Sequence, residues 1–120
     1  MAPRRILFLL RQPPYATSHA LEALEAVLVA GVFDQVVSVL FADDGVWQLL
    51  RDQDGDAVGM RTVGRVATAL PQYDVNDIYV CGESLRRLGL SPDDLVLPVT
   101  LLDGAGQQAL IAGQHAVVSD

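Results

Sequence analysis

Lysine is absent from this chain. All eight basic residues are arginines, set against 15 acidic residues for a formal net charge of −7. Nucleic-acid binding draws its affinity from basic contacts to phosphate, so an acidic chain is a poor direct ligand for DNA or RNA. If its pathway touches RNA, a partner is expected to make the contact. Cysteine occurs once, as Cys81, which excludes an internal disulfide and suits a reducing compartment. The apolar run that follows the N-terminal arginines, Ile6 to Leu10, is too short for a signal-peptide core or a membrane span. A cytoplasmic protein is therefore expected, with no membrane partner. Gly55, Gly59 and Gly64 do not follow a strand in the pattern of a phosphate-binding loop, and there is no Gly-x-Ser-x-Gly, which argues against a hydrolase triad. His19 and His115 lie far apart, with no metal-ligand partner near either.

Hydrophobic residues make up 51% of the chain, and the mean hydropathy is +0.31. Two readings fit that richness: surface buried against other subunits, or a sheet covered on both faces whose strands are apolar throughout. The length of 120 residues predicts one domain, residues 1–120.

Apolar runs at residues 6–10 and 36–41 read as buried strands. The segment 76–80 reads as a third strand, Leu95-Val96-Leu97 as a short fourth and 116–118 as a fifth. Between them, helices are predicted from a Thr17 or Ser18 cap to about Ala30, over Val46–Leu50 behind an Asp43 or Asp44 cap, and over roughly 60–70. Two more follow, from Gly82 to Leu88 and from Asp103 to about Gly113. In the helix capped by Thr17 or Ser18, Leu21, Leu24, Leu28 and Val29 fall at helical spacing, and Gly31 closes it. The segment Arg51 to Asp56 reads as an exposed loop. Strands alternate with helices and no hairpin signal intervenes, so the expected fold is α/β, a three-layer α/β/α sandwich around a five-stranded parallel sheet.

In open parallel sheets, sites form at the carboxyl ends of strands. Three loops qualify here: Arg11 to Tyr15, Ala42 to Val46, and Cys81 to Ser84. Cys81 ends a strand and begins a helix, where backbone N–H groups favour thiolate over thiol. It is the one plausible nucleophile or sulfur carrier. The competing reading is a small buried hydrophobe, since free cysteine is among the most buried residue types. Arg86 and Arg87 follow about one turn further on. Asp43 and Asp44 read as a helix cap and turn in preference to a metal or phosphate site, because adjacent carboxylates diverge and no third ligand is suitably spaced. Trp47 reads equally as an interface anchor or as ordinary helix packing.

The stretch Phe41-Ala42-Asp43-Asp44-Gly45-Val46-Trp47-Gln48-Leu49-Leu50 resembles the Phe-x-x-Asp-Gly-Val-(aromatic)-Gln-Leu signature of the DsrE/DsrF-like family. It is most similar to the TusC (DsrF) subunit type. Cys81 with Ser84-Leu85-Arg86-Arg87-Leu88-Gly89-Leu90, the Arg11-Gln12-Pro13-Pro14-Tyr15 loop and the chain length fit the same type. The resemblance implies a DsrEFH-like fold and a place in a sulfur-relay complex. TusB-like and TusD-like subunits would be the companions, in a heterohexamer of two heterotrimers, with TusA-like and TusE-like carriers on either side. Sulfur would pass toward the 2-thio group of a tRNA wobble uridine or, in the Dsr setting, along a sulfur-oxidation route. No cofactor is implied. The chain would be a persulfide-carrying or a non-catalytic subunit, with Cys81 the candidate carrier. Arg11, Tyr15, Asp43, Asp44, Trp47 and Arg86 are the candidate cleft or interface residues.

Overall fold

Strand β1 (Arg5–Leu10) carries the first apolar run and lies inside a parallel sheet, paired on both sides. The structure, a computed structural model, describes residues 4–14, 18–33, 35–51 and 63–120. After β1 come α1 (His19–Gly31), β2 (Val36–Phe41), a 3-10 helix (Asp43–Leu49), α2 (Val63–Ala67) and a 3-10 turn (Leu70–Tyr73). Next are β3 (Asp77–Cys81), α3 (Gly82–Arg87), a further 3-10 turn (Pro92–Asp94), β4 (Thr100–Leu102), α4 (Gly104–Ala112) and β5 (Ala116–Ser119). The sheet has five strands in the order β4-β3-β2-β1-β5, and every pair is parallel. This is the α/β architecture that the strand–helix alternation predicts.

The steps from β1 through β4 all move one way across the sheet. Right-handed crossovers place their connecting helices on one face, and the return from β4 to β5 places α4 on the other. Side chains sort accordingly, because successive strand residues point to opposite faces. Phe8, Leu10, Val37, Val39, Phe41, Ile78 and Val80 form the main core with Leu24 and Val27 of α1, Val63 and Ala67 of α2, and Leu85 of α3. Each fully buried leucine there contributes roughly 2–3 kcal/mol by removal from water. On the α4 face, Leu7, Leu9, Leu40 and Ala42 form a smaller cluster joined by Tyr79, Cys81 and Leu110.

That second face is thinly covered. A nine-residue helix such as α4 is about 14 Å long, whereas crossing from β4 to β5 spans four strand spacings, about 19 Å. None of the α4 residues is fully buried. Val117 on β5, in register with Leu7, and Ile111 on α4 are exposed on this face; Leu101 and Val118 are exposed at the two edges on the main-core side, in register with Val80 and Phe8. Val29, Val32 and Phe33, at and just beyond the end of α1, are exposed as well. No described helix is long and apolar enough to cross a membrane.

Several elements differ from expectation. Leu95-Val96-Leu97 is not the fourth strand. Leu95 is 1% exposed and packs in the main core. It makes only an isolated antiparallel bridge with Leu50, and the Val96 N–H donates to the Leu49 carbonyl at 2.7 Å. The edge strand is Thr100–Leu102, beyond Pro98, pairing Tyr79 with Thr100 and Cys81 with Leu102. Neither Asp43 nor Asp44 caps a helix. Ala42 holds the N-cap position of the 3-10 helix, without a side-chain bond, and both aspartates lie inside its first turn. On α1 the fully buried stripe is Ala20, Leu24, Val27 and Gly31, with Val29 58% exposed. Ser18 occupies its N-cap position but bonds the Glu22 carboxylate at 3.0 Å, not a backbone N–H. Helix α2 begins by Val63 and is followed by a separate turn containing Pro71. The Thr17 cap, the start of the 60–70 helix and the 52–56 part of the expected loop lie outside the described residues. Helices α1, α3 and α4 and strands β1, β2, β3 and β5 match their expected spans to within a residue or two.

Candidate functional site

Cys81 is the last residue of β3 and the N-cap of α3, with extended backbone at φ −66° and ψ 114°. Its side chain is half-buried on the α4 face of the sheet. The chain turns directly from strand to helix at Cys81, and Gly89 at φ +73° lets the short helix stop. Burial pushes the Cys81 thiol upward. Hydrogen bonding from the Ser84 hydroxyl, the Ser84 N–H, the Gln107 side chain and the Glu83 N–H outweighs it, and the thiol ends below the ordinary cysteine range. The sulfur thus occupies the place of a helix-capping acceptor, although no cap bond of ordinary geometry closes. Gln107 reaches it from α4 while also donating to the Leu102 carbonyl at 3.2 Å. A partly exposed thiol with its anion stabilised in this way carries more thiolate, the nucleophilic form, than an ordinary cysteine at the same pH.

The loop after β2 braces this corner. Asp43 sits in the left-handed region at φ 52°, a conformation that costs a non-glycine residue about 1 kcal/mol and that aspartate tolerates better than most. Its N–H donates to Ser84 Oγ at 2.9 Å, and Ser84 is 2% exposed. Its carboxylate lies between two guanidinium groups, Arg87 Nη2 at 3.3 Å and Arg11 Nε at 3.9 Å. All three side chains are at least half exposed, so the pairs contribute at most about 1 kcal/mol each and act chiefly to orient the loop. Gly45 is required by packing: a Cβ there would strike the Leu10 carbonyl at the end of β1. Gln48 is fully buried, and its Nε2 donates to the Gln12 carbonyl at 2.9 Å, fastening the loop after β1. The Arg11 N–H donates to the Asp120 carboxylate at 2.7 Å.

Arg11, Asp43 and the Cys81–Ser84 segment therefore meet at the carboxyl end of the sheet, as the three-loop reading expects. Tyr15 lies outside the described residues. Asp44 is exposed, and Trp47 is half-buried on the 3-10 helix. Arg86 does not reach Asp43. It lines an open cleft of about 210 Å³ with Gly82, Glu83, Leu102, Asp103 and Gly104, between the starts of α3 and α4. Arg87, one helical step on, makes the ion pair. Ser84 and Arg87 were placed near Cys81 but not chosen as candidate site residues, and Gln48 and Gln107 were given no role. The Gln at the sixth place of Asp-Asp-Gly-Val-Trp-Gln was a usable signal, since a polar residue amid an apolar helix face needs a partner. His115 is structural: its Nδ1 accepts the Arg5 N–H at 2.8 Å beside β5. Among the described residues, no group of three or more His, Cys, Asp or Glu side chains is placed to hold a metal.

Comparison with known proteins matches residues 4–119 to a family model described as the DsrE/DsrF-like family. The chain is 47% identical over 93 residues to the intracellular sulfur oxidation protein DsrF of Allochromatium vinosum, covering 78% of this chain and 68% of that one. It is 35% identical over 114 residues to a TusC homolog of Pseudomonas aeruginosa, covering 95% and 96% of the two chains. Among solved structures, the ychN protein of E. coli superposes with a TM-score of 0.85 at 14% identity, covering 98% of this chain and 99% of that one. MTH1491 of Methanobacterium thermoautotrophicum gives 0.70 at 21% identity over 98% and 99%. At those identities the two structures speak for the fold alone.

Proposed function

The chain belongs to the DsrE/DsrF-like family, and from that premise we propose that it is a TusC-type subunit of a sulfur-relay assembly in which Cys81 transiently holds persulfide sulfur. The observation that carries this reading is the Cys81 thiol itself, half-buried at a strand end and held toward its anion by Ser84 and Gln107. The Cys81 thiolate attacks the outer sulfur of a donor persulfide. The donor's sulfur–sulfur bond breaks, the donor leaves as a thiolate, and a persulfide forms on Cys81. An acceptor thiolate then takes the outer sulfur by the same exchange, returning Cys81 to its starting state. Each step is redox-neutral, so no cofactor is needed. The companions on this reading are TusB-like and TusD-like chains, in two heterotrimers. TusA-like and TusE-like proteins supply and remove the sulfur, which ends in the 2-thio group of a tRNA wobble uridine. The chain itself touches no nucleic acid. The chemistry needs free thiols, which suits a reducing compartment, and on this reading the assembly works in the cytoplasm.

A second reading is supported by the 47% identity to a protein named for intracellular sulfur oxidation. There the same Cys81 exchange serves a DsrF-like subunit, and sulfur passes to an oxidation route instead of to tRNA.

The experiment is reconstitution of the assembly with its carriers, a persulfide donor and undermodified tRNA, reading 2-thiouridine formation with wild-type chain and with Cys81→Ser. The expected result is thiolation with wild type and its loss with Cys81→Ser. Full thiolation by Cys81→Ser would make the chain a structural subunit. Sulfur loading without any tRNA product would favour the oxidation reading.

A further inference from the structure

We infer that Ser84 is a positioning residue for the Cys81 sulfur, its hydroxyl pinned by the backbone N–H of Asp43 so that its proton points at Sγ. The inference rests on the reading of Cys81 as the sulfur-holding group. A hydroxyl has one proton to donate and two lone pairs to accept with. The Asp43 N–H, at 2.9 Å, occupies one lone pair of Ser84 Oγ. Ser84 is 2% exposed, which leaves its proton a protein acceptor in preference to bulk water. Ser84 is the third residue of α3 and Cys81 its N-cap, a spacing that sets the two side chains against each other across the first turn. The Asp43 N–H is aimed by the left-handed backbone at that residue (φ 52°). The paired carboxylate and the glycine-specific packing of Gly45 on β1 hold the loop there. The loop after β2 thus acts on the sulfur through one hydroxyl. When Cys81 is a thiolate or a persulfide anion, a fixed O–H dipole favours the charged form and holds the reacting sulfur in one orientation.

The competing destination for the Ser84 proton is the carbonyl of Cys81, three residues back and the first helical carbonyl of α3. The charged groups around the corner are Glu83, Arg86 and Arg87 on α3, Asp43, Arg11 and Asp103. Substitution at 84 leaves all of them in place.

The test is the rate of Cys81 alkylation by iodoacetamide as a function of pH. Cys81 is the only cysteine, so the signal is its own. The full-length chain is compared with Ser84→Ala, Ser84→Thr and Ser84→Val. Threonine keeps the hydroxyl and valine is its isostere without one, so that pair isolates the O–H even if the alanine variant folds poorly. The midpoint is expected to move up in Ala and Val and to stay near wild type in Thr. For a pKa one higher, thiolate at neutral pH falls about tenfold and intrinsic nucleophilicity rises about 2.5-fold, so alkylation slows about fourfold. Superimposable Thr and Val profiles would overturn the inference, leaving sulfur loading of the wild type untouched. A shifted profile in a chain that never takes up sulfur would instead count against the proposed function while leaving the Ser84 role standing.

Discussion

At the residue scale, the site depends on three short-range constraints after β2: a left-handed Asp43, a side-chain-free Gly45 and a buried Gln48. Gly45→Ala should cost about 3 kcal/mol, because the added methyl meets the Leu10 carbonyl and must push the 3-10 helix off β1. Urea unfolding reads this directly, and a loss below about 0.5 kcal/mol would contradict the packing argument. Cys81 gives a pH dependence with a definite sign. Its thiol pKa is lowered in the fold, so the stabilisation is fully present above the unfolded value near about 8.5 and is lost as pH falls through the folded value. The stability of wild type relative to Cys81→Ala should therefore grow as pH rises toward about 9 and level off above it; a flat difference would refute the anion-stabilising environment. That Cys81, Arg11 and Asp43 would meet at the carboxyl end of the sheet was legible because strand ends can be read from apolar runs. Arg87 was not, since choosing it over Arg86 needs the helix phase, and that is fixed only by where Cys81 and Gly82 turn. Ser84 was hidden for a similar reason: its partner is the backbone of a residue 41 positions away.

At the element scale, the central strands were easy to read and the β4 region was not. Strands β1 and β2 are paired on both sides and covered on both faces, so their sequences are apolar except for Arg5 and Ser38. β4 is an edge strand of three residues, Thr100-Leu101-Leu102, and carries little pattern. The stronger apolar triplet before it, Leu95-Val96-Leu97, has a different use: Leu95 plugs the main core under the 3-10 helix while the next two residues remain half-buried. Leu95→Ala should accordingly cost about 3 kcal/mol and Leu97→Ala clearly less. Equal losses on denaturant unfolding would fit a strand instead. The aspartate cap was misread because Asp43-Asp44 ahead of an apolar segment has the composition of an N-cap. The backbone spends Asp43 on a left-handed turn that aims its N–H at Ser84.

For the whole molecule, the crossover from β4 to β5 sets the character of the surface. One face of the sheet carries the main core, whereas α4 is too short to span the other. The exposed Leu101, Ile111, Val117 and Val118 account for part of the high hydrophobic content that the sequence shows. The buried parallel strands account for the rest. Sedimentation should show the chain entering a larger species when mixed with TusB-type and TusD-type subunits. A chain that stays a monomer in their presence would contradict the assembly reading. The central claim, that Cys81 holds sulfur, is tested most directly by mass spectrometry of the assembly after loading from a persulfide donor. The account predicts one additional sulfur atom on the peptide containing Cys81, removed by a thiol reductant. An unmodified Cys81 peptide, with the sulfur carried on a partner subunit's cysteine, would contradict it.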